Sequence, residues 1–562
     1  MGVKLRAGLA GVLTAVGLAA VGAPAVAGPP VDVIVRTVSP EALARAEALV
    51  RRSGGTIEQD LAVISGFAAR LPSHALAVLE RMPGVAEVTA DGTVRMSGKK
   101  WIDDGGANTP AGKVKKIAGG KKANTVQLTG AGVGVALIDS GVAPVPGLDE
   151  PGRVVNGPDL SFESQTPGLV NIDTYGHGTH MAGIIAGADP ATGFEGMAPD
   201  AKLISLKVAA ADGAADVSQV IAAIDWVVTH RNDPGLNIRV LNLSFGTDST
   251  QSALLDPLSY AVEAAWRKGI VVVVAVGNDG AAATRVTMPA ANPYVLAVGA
   301  SDSHGTEEHA DDTVAAFSNR GSAVRHADLL ATGRSVVSLR VPGSYIDIAY
   351  PGARVSETTF RGSGTSQATA VVSGSVALLL ENQPKLSPDE VKNLLIESAD
   401  PLSGSDPIAA GAGQIDIAEA VTMGKPKKVT QTFARATGLG TLEGARGSSH
   451  VTDDETGVVL RGERDIFGSP WNPATWAPRA AEGKAWTGGT WNGKVWTGTD
   501  YDGTSWTAVT WNTATWTASN WAGRRWTGSD WTGQTWTGRA WTGRAWTSGT
   551  WLGRAWTGRA WT

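Results

Sequence analysis

The run IVVVVAV at residues 270–276 constrains the fold more than any other feature of the sequence. Every side chain in it is apolar, so a strand formed there must be covered on both faces, as in the centre of a parallel sheet. Similar runs end at residues 139 and 243, and they alternate with helical patterns such as VSQVIAAIDWVVTHR. This alternation over residues 119–425 predicts an α/β fold, with a mostly parallel sheet between two layers of helices.

Three short segments rich in glycine, serine and threonine contain the candidate catalytic groups. Asp139 lies in ALIDSG, His177 in YGHGTHMAG and Ser366 in GSGTSQATA. A nucleophilic serine needs a base to take its proton and an acid to orient that base. In parallel α/β sheets, such groups lie at the carboxyl ends of strands or at the first turns of the following helices. Each segment alone is weak evidence, because an aspartate followed by Ser-Gly also fits a simple turn.

The order of these groups along the chain is Asp, His, Ser. Catalytic Ser-His-Asp triads are known in three chain orders, and this order distinguishes one of them from the other two. Together with GMAPDAKL, NLSFG, VAVGNDG and FSNRG, the three segments make residues 119–425 similar to the subtilisin-like serine endopeptidases, the subtilases of family S8. The resemblance implies a subtilisin-like three-layer αβα domain. It also implies that Ser366 is the nucleophile, His177 the general base and then acid, and Asp139 the carboxylate that fixes the imidazole tautomer.

The resemblance also implies an oxyanion donor and a substrate pocket. Asn278 follows the apolar run directly and occupies the donor position. Two segments would form the walls of the pocket for the residue before the scissile bond, and their small or apolar side chains favour medium or large apolar substrate residues. These pocket residues are Ser244, Phe245, Gly246, Ala275, Val276 and Gly277. Residues 333–362 form a longer segment before the serine than a minimal loop would need.

Metal chemistry is a weaker interpretation of the same histidine segment. His177 and His180 are three residues apart, but no acidic base of the HExxH kind lies between them. The sequence therefore predicts no metal or other cofactor for the chemistry. Carboxylates such as Asp173, Asp212 and Asp216 are candidate ligands for structural Ca²⁺, which takes oxygen donors, although their spacing proves no site.

The first 27 residues have the layout of a cleavable secretory signal. Lys4 and Arg6 precede an apolar stretch that closes on Ala25-Val26-Ala27. Later apolar runs fall short of the roughly 18 residues that a membrane span needs. The sequence therefore predicts a secreted protein with no transmembrane anchor, and the absence of cysteine excludes thiol chemistry.

Residues 28–100 have the pattern of a small unit with a βαββαβ order, which is the ferredoxin-like α+β layout. The strand-like VDVIVRTV precedes a helix capped by Ser39, and a second helix covers SHALAVLE. The resemblance implies that this unit is an inhibitory propeptide, so that the enzyme's own leader is one of its partners. Residues 101–118 are polar and rich in Gly and Lys, and they are expected to form an exposed, cleavable connector.

Beyond a polar linker at residues 426–470, the sequence becomes a repetitive, low-complexity tail at 471–562. An aromatic residue recurs there at nearly every fifth position, and most of the 20 tryptophans belong to it. A period of five fits neither a helix nor a plain strand, and it indicates a solenoid-like array or an extended repeat. Two roles stay open: contact with cell-wall glycan or an anionic envelope, favoured by aromatics beside basic residues, and a self-packed spacer. Similar tails follow some secreted actinobacterial subtilases.

These observations predict a secreted serine endopeptidase, made as a zymogen, that hydrolyses protein or peptide substrates through an acyl-enzyme. A net charge of −5 gives no sign of a nucleic-acid binder. The alternative is a surface- or glycan-binding adhesive protein whose protease domain is incidental or inactive. The complete set of Asp139, His177, Ser366 and Asn278 argues against that alternative.

Overall fold

The structure is a computed structural model that describes residues 30–495 apart from short gaps, followed by paired strands between residues 510 and 561. The gaps are 62–65, 91–100, 104, 121–126, 166–168, 428, 449, 452–458, 466–468, 488–489 and 493. The secretory signal predicted at residues 1–27 lies outside the described residues. None of the helices in the described part of the chain combines the length and apolar character needed to cross a membrane.

A unit of four strands and two helices comes first. It consists of β1 (Pro30–Thr37), α1 (Pro40–Arg52), β2 (Thr56–Leu61), β3 (Gly66–Pro72), α2 (Ser73–Glu80) and β4 (Val85–Ala90). The strands pair antiparallel in the order β2-β3-β1-β4, with the βαββαβ succession that the sequence predicts. The Ser39 hydroxyl accepts the Ala42 amide hydrogen and so starts α1. Val35, Val50 and Phe67 belong to a core of this unit's own.

The chain then passes through β5 (Thr109–Pro110) and α3 (Ala111–Ile117) before it enters the main sheet. The exposed connector expected at residues 101–118 is wrong in one respect, because part of this segment is buried. Val114 and Ile117 are buried, and Trp101 is only 6% exposed. These apolar side chains pack into the core, and the polar average composition of the segment gives no sign of this.

Eight strands form the main sheet. The strands that follow β5 in this part of the chain are β6 (Gly134–Asp139), β7 (Val154–Asn156), the separate short hairpin β8 (Ala188–Asp189) and β9 (Phe194–Glu195), β10 (Lys202–Lys207), β11 (Ile238–Leu243), β12 (Val271–Ala275), β13 (Leu296–Asp302), β14 (Thr313–Val314) and β15 (Leu329–Thr332). The sheet order is β14-β13-β12-β11-β6-β10-β7, with β15 beside β13. All of its pairs are parallel except β13 with β14.

Helices cover this sheet on both sides. They are α4 (His177–Ala186), α5 (Val217–His230), α6 (Pro257–Arg267), α7 (Tyr345–Ala349), α8 (Thr365–Asn382), α9 (Pro388–Glu397), α10 (Pro407–Ala410) and α11 (Ile417–Thr422), with β16 (Val336–Leu339) and β17 (Thr359–Gly362) before α8. α8 packs against α4 and over β11, β12, β13 and β15, while α5 and α6 pack on each other. Every residue of β6 and β12 is buried, as the apolar runs require. The fold is therefore the subtilisin-like αβα arrangement with a mostly parallel sheet.

The segment after α11 packs against the main domain. It contains α12 (Leu442–Arg446), α13 (Pro473–Glu482), β18 (Trp486–Thr487), β19 (Thr490–Trp491) and β20 (Lys494–Val495). Leu442, Trp476 and Trp491 belong to the same core cluster as the central strands. Composition predicts a linker at 426–470. The structure differs, because this segment is packed on the main domain: its few apolar and charged residues have buried partners on α5 and α6.

The tail contains strands of two residues each. They are β21 (Thr510–Trp511), β22 (Thr515–Trp516), β23 (Asn520–Trp521), β24 (Arg525–Trp526), β25 (Asp530–Trp531), β26 (Thr535–Trp536), β27 (Ala540–Trp541), β28 (Ala545–Trp546), β29 (Thr550–Trp551), β30 (Ala555–Trp556) and β31 (Ala560–Trp561). Strands β21 to β28 each pair in parallel with the strand three repeats later, for example Trp511 with Trp526, which gives three separate sheets. This is the pairing of a three-faced solenoid.

Candidate active site

Asp139 and His177 meet where β6 ends and α4 begins. Asp139 is the last residue of β6, and His177 is the first residue of α4, preceded by Gly176 with a φ of +99°. The imidazole Nδ1 lies 2.8 Å from one Asp139 carboxylate oxygen and 3.0 Å from the other. A β carbon at Gly178 would overlap the Gly141 carbonyl, so only glycine allows α4 to start this close to β6.

A second buried carboxylate, Asp173, lies behind this pair. The Ser140 amide donates to Asp139 (2.8 Å), and the Ser140 hydroxyl donates to Asp173 (2.8 Å). Asp173 also accepts the amides of Gly176 (2.6 Å) and Thr179 (2.7 Å), which are the residues on either side of His177 and Gly178. Burial raises the pKa of Asp173. Its role is to hold the first turn of α4 in place beside β6.

Ser366 lies in the first turn of α8, where backbone amides have no partner within the helix and the dipole has its positive end. Its side chain is buried, and its hydroxyl donates to the Ser244 carbonyl at 3.0 Å. The Asn242 amide in turn donates to the Ser244 hydroxyl at 2.9 Å. The nucleophile candidate is thus held next to the pocket segment that begins at Ser244, in the rotamer that bonds to this carbonyl.

Asn278 lies beside the start of the same helix. Its Oδ1 accepts both the Thr365 amide and the Thr365 hydroxyl, each at 2.8 Å, which turns its Nδ2 toward Gly364. A β carbon placed on Gly364 would be 3.3 Å from Asn278 Nδ2 and 3.6 Å from the Ser366 amide nitrogen. Gln367 Oε1 lies 2.7 Å from the same position, so two N–H donors and one acceptor lie together at the start of α8.

The two predicted pocket segments face each other across Thr287. A β carbon at Gly246 would overlap the Thr287 hydroxyl, and one at Gly277 would lie 2.9 Å from the Thr287 methyl group. The remaining predicted pocket residues are buried alongside: Ser244, Phe245, Ala275 and Val276. Thr287 therefore packs against both segments, and the motifs gave no indication of it.

An open cavity of about 380 Å³ adjoins Thr287. Polar side chains contribute much of its lining, among them Asp248, Asp279, Arg285 and Asn319. The Asn319 side-chain Oδ1 accepts the Asp279 backbone amide at 2.6 Å, which ties this wall to the residue after Asn278. The surroundings of the pocket are thus more polar than the small and apolar motif residues indicate.

The 333–362 segment packs against the residues just before His177, since the Tyr345 and Ile346 amides donate to the Thr174 and Tyr175 carbonyls. Its helix α7 brings the Tyr345 ring into a stacked contact with Tyr175, with centroids 5.6 Å apart and planes 17° apart. Asp347 anchors the segment, since it accepts from Arg340 (2.6 Å) and Arg354 (2.9 Å). These guanidinium groups lower the pKa of Asp347 against the effect of its burial, which acts in the opposite direction.

His180 is a structural neighbour of the site. Its Nε2 donates to the Phe360 carbonyl at 3.0 Å, and burial, with a further contribution from His177, lowers its pKa to about 3. The imidazole is therefore neutral over the physiological pH range. The described residues contain no group of three or more His, Cys, Asp or Glu side chains suited to hold a metal ion.

The three carboxylates considered for calcium lie in separate hydrogen-bond arrangements. Asp212 accepts the Ala214 amide in a turn (2.9 Å). Asp216 caps α5 and pairs with the Arg446 guanidinium at 2.7 Å. Asp173 accepts the amides at the start of α4. Calcium binding stays a prediction that these geometries do not test.

Sequence reasoning missed three side chains around the centre: Ser140, Thr287 and Trp101. The Trp101 ring lies perpendicular to the His177 ring, with centroids 6.0 Å apart. A lone tryptophan in an otherwise polar segment is the one signal that could have drawn attention to it, because an exposed tryptophan is uncommon.

A covered parallel sheet with an Asp–His pair at one strand end, and a serine opening a buried helix beside an asparagine amide, is the arrangement expected of a serine hydrolase. The family model described as the Subtilase family matches residues 130–440, which is more than half of the chain, and the chain belongs to this family. It is a subtilisin-like serine protease, a hydrolase of peptide bonds. This finding does not favour an adhesive protein with an incidental protease domain.

Two relatives show how much of the chain the similarity covers. The serine protease AprX of Bacillus subtilis is 39% identical over 306 residues, which are 53% of this chain and 68% of AprX. Subtilisin DY of Bacillus licheniformis is 34% identical over 302 residues, which are 53% of this chain and 94% of subtilisin DY.

Among solved structures, a cold adapted subtilisin-like serine proteinase is 29% identical, with a TM-score of 0.41, and the match covers 52% of this chain and 90% of that one. Fervidolysin from Fervidobacterium pennivorans, described as a keratinolytic enzyme related to subtilisin, is 21% identical with a TM-score of 0.45. That match covers 71% of this chain and 62% of fervidolysin.

Proposed function

We propose that this protease is a secreted endopeptidase, made as a zymogen, that cleaves peptide bonds through Asp139, His177 and Ser366. The observation that supports these roles most directly is the start of α8, where Asn278 Oδ1 accepts the Thr365 amide and hydroxyl and Asn278 Nδ2 lies on the same side as the Ser366 amide. An aspartate that contacts His177 Nδ1 with both oxygens supports the same roles, because it fixes the tautomer whose Nε2 can accept a proton.

The chemistry starts with a change of partner for the Ser366 hydroxyl. In the structure it donates to the Ser244 carbonyl, and a rotation about its Cα–Cβ bond turns it toward the imidazole. His177 Nε2 takes the hydroxyl proton as Oγ attacks the substrate carbonyl carbon, and the carbonyl oxygen gains negative charge between Asn278 Nδ2 and the Ser366 amide. His177 then protonates the amine, which departs as the first product, and the acyl group of the substrate stays bound to Ser366 as an acyl-enzyme.

A water molecule completes the cycle. His177 takes a proton from this water, which attacks the ester carbonyl carbon, and the same proton returns to Ser366 Oγ as the carboxylate product leaves. Each negatively charged intermediate uses the same two N–H donors. Their fixed positions, held by Thr365 and the start of α8, stabilise that charge without reorganisation.

The N-terminal unit suits a propeptide because it has a hydrophobic core of its own. A segment that folds by itself can assist folding of the protease and then be removed. Residues 28–100 are proposed to occupy the cleft until they are cut off, and the predicted signal at residues 1–27 is proposed to direct export. The absence of cysteine means that the exported enzyme depends on packing and ion pairs for stability.

A fluorophosphonate probe tests the catalytic roles. Purified, processed protein should be labelled on Ser366, as located by mass spectrometry, and Ser366→Ala should abolish both labelling and peptide hydrolysis. Ser356→Ala changes an exposed serine of the 333–362 segment, serves as the matched control and should be labelled normally. Labelling at another serine, or hydrolysis by Ser366→Ala, would rule out the proposed nucleophile.

N-terminal sequencing of secreted protein tests the zymogen. Wild-type protein should lack residues 28–100, whereas Ser366→Ala should keep them, because processing depends on the enzyme's own nucleophile. Equal processing of both forms would show that another protease matures the chain.

A further inference from the structure

Residues Trp101–Asp103, named here the strap, contact the two histidines of α4. The Trp101 ring lies perpendicular to His177, at 6.0 Å and 90°, and nearly perpendicular to His180, at 5.0 Å and 81°. Such edge-to-face contacts between rings 4.5–7 Å apart are favourable. The indole is 6% exposed, so it belongs to the interior of the site.

Three ties fix the strap to the segment that leads into the nucleophile. The Trp101 indole N–H donates to the Arg361 carbonyl at 3.0 Å. The Ile102 carbonyl accepts the Ser363 amide at 3.0 Å, as an antiparallel bridge. Asp103 pairs with the Arg361 guanidinium at 2.6 Å. Both partner residues, Arg361 and Ser363, lie within a few positions of Ser366 in the chain.

The backbone of β17 is shaped to admit this tryptophan. A β carbon on Gly362 would overlap two atoms of the Trp101 ring, and it would also lie 2.7 Å from the Gln367 side-chain nitrogen. Glycine at 362 therefore lets the indole lie against the backbone just before the serine. The ring thus contacts the histidine on one side and the nucleophile segment on the other.

Asp139 alone does not fix the whole orientation of His177. Hydrogen bonds at Nδ1 leave the ring free to tilt about the line that joins Nδ1 to the carboxylate, and this tilt moves Nε2. A perpendicular indole that is itself anchored to Arg361 opposes the tilt. The strap can therefore align the imidazole with the segment that carries Ser366.

We propose that the strap is a positioning element of the catalytic centre that stays with the enzyme after maturation. This proposal rests on the proposed roles of His177 and Ser366. The cut that removes the leader then falls before Trp101, and the first residues of the mature chain complete the site. Trp101 is a positioning residue, since it acts through His177 and the nucleophile segment.

Two variants of Trp101 test the positioning role. Trp101→Leu removes the ring, and we expect kcat on a short peptide substrate to fall about 10- to 100-fold, as a small displacement of a catalytic group does, while KM changes little. Trp101→Phe keeps an aromatic ring and should recover most of kcat, although it loses the bond to the Arg361 carbonyl. Rates are divided by the concentration of sites titrated with the fluorophosphonate, so that unfolded protein does not count.

Trp266 provides the matched control. It is a buried tryptophan on α6 whose indole donates to Asp389 at 2.7 Å, away from the site. Trp266→Leu should lower the melting temperature without lowering kcat per titrated site. An unchanged kcat per site in Trp101→Leu would overturn the proposal, and so would an equal loss in Trp266→Leu, because the effect would then be one of general stability.

N-terminal sequencing of the wild-type enzyme tests whether the strap stays in the mature chain, and this test needs no variant. Active, processed wild-type enzyme should begin at or before Trp101, and an active enzyme that begins after Asp103 would overturn the proposal. These outcomes can be distinguished from failure of the proposed function. Activity that survives in Ser366→Ala would contradict the proposed catalytic roles, whatever the result for the Trp101 variants.

Discussion

Arg446 donates to Asp216 at 2.7 Å across 230 positions of the chain, and both side chains are fully buried. Asp216 also forms the capping box that starts α5. Carbonyls of Gly462 and Arg464 and the Glu443 carboxylate accept the remaining guanidinium hydrogens. The cap of a catalytic-domain helix thus depends on a residue that the sequence places in a linker.

Replacing Arg446 should destabilise the protease strongly. Arg446→Met leaves two buried carboxylates without their partner, and loss of one member of a buried ion pair costs about 3–5 kcal/mol. Urea unfolding should show this decrease in the free energy of unfolding. Arg435→Met, an exposed arginine of the same segment, should have little effect. Equal stability of the two variants would contradict a structural role for the Arg446 pair.

Truncations should separate the packed segment from the repeat tail. A chain that ends at residue 425 loses Arg446, Trp476 and Trp491, so it should be degraded or melt at a lower temperature. A chain that ends at residue 495 keeps these contacts and should retain full peptidase activity and stability. Binding of the full chain and of the two truncated chains to cell wall then tests the predicted envelope contact. If the tail is an anchor, loss of the residues beyond 495 should be enough to reduce this binding.

Asp225 should make stability depend on pH. Its carboxylate accepts the indole N–H groups of Trp476 (2.8 Å) and Trp491 (2.9 Å), yet burial raises its pKa to about 7. The folded state therefore favours the protonated form. The stabilising contribution of that proton is complete below about pH 4 and is lost as the pH rises through about 7.

The Asp225→Asn variant has no ionisable group at this position, so its free energy of unfolding should not show this pH-dependent loss. Between pH 5 and 8.5 its free energy of unfolding should fall by about 3 kcal/mol less than that of the wild type, because only the two pH units from 5 to about 7 contribute. Asp200→Asn, at an exposed position, should follow the wild type. Parallel pH profiles for the wild type and Asp225→Asn, measured by thermal melting, would show that Asp225 is already ionised at pH 5.

Asn278→Ala should lower kcat by about 10²- to 10³-fold, as removal of one oxyanion donor does. KM should change little, because the donor contributes mainly in the transition state. Steady-state kinetics on a chromogenic peptide would check this. Thr365→Ser keeps the hydroxyl that donates to Asn278 and should stay near wild-type activity; a similar loss in both variants would point to a displaced helix start.

Thr287→Ala should widen substrate choice. The Thr287 side chain lies between Gly246 and Gly277, so its removal deepens the space between the two pocket segments. The ratio of kcat/KM for an aromatic over a small residue before the scissile bond should rise about 10-fold. Thr284→Ala, elsewhere in the cavity lining, should leave this ratio unchanged. A ratio that does not move would place the pocket elsewhere.

The local sequence pattern is enough to predict the sheet and the strand and helix ends where the candidate catalytic residues lie. Asp139 follows a fully apolar strand, and Ser366 begins an apolar helix, so the carboxyl-end rule predicts the position of both from their immediate neighbours in the chain. The same reasoning could not place Trp101, whose partners lie about 260 positions away. A periodicity reports whether a side chain is covered, and it does not identify the distant segment that covers it.

The repeat shows the same limit. Every tryptophan from 471 onward fits one period, yet Trp476, Trp486 and Trp491 contact α5 through their indole nitrogens. Their acceptors, Asp225 and the Ala222 carbonyl, lie on a helix that the sequence marks only as amphipathic. The period therefore indicates a repeat, and it does not identify the point where the repeat joins the protease.

Pairing across three repeats fixes how such a tail can change in length. Each turn of 15 residues adds one layer of strands, roughly 4.8 Å of height, so the strands from Thr510 to Trp561 rise only about 15 Å. Gain or loss of three pentapeptides preserves every lateral neighbour, whereas gain or loss of one moves all later strands to the next face. Genetic duplication within this region should therefore be tolerated most easily in triplets of the unit.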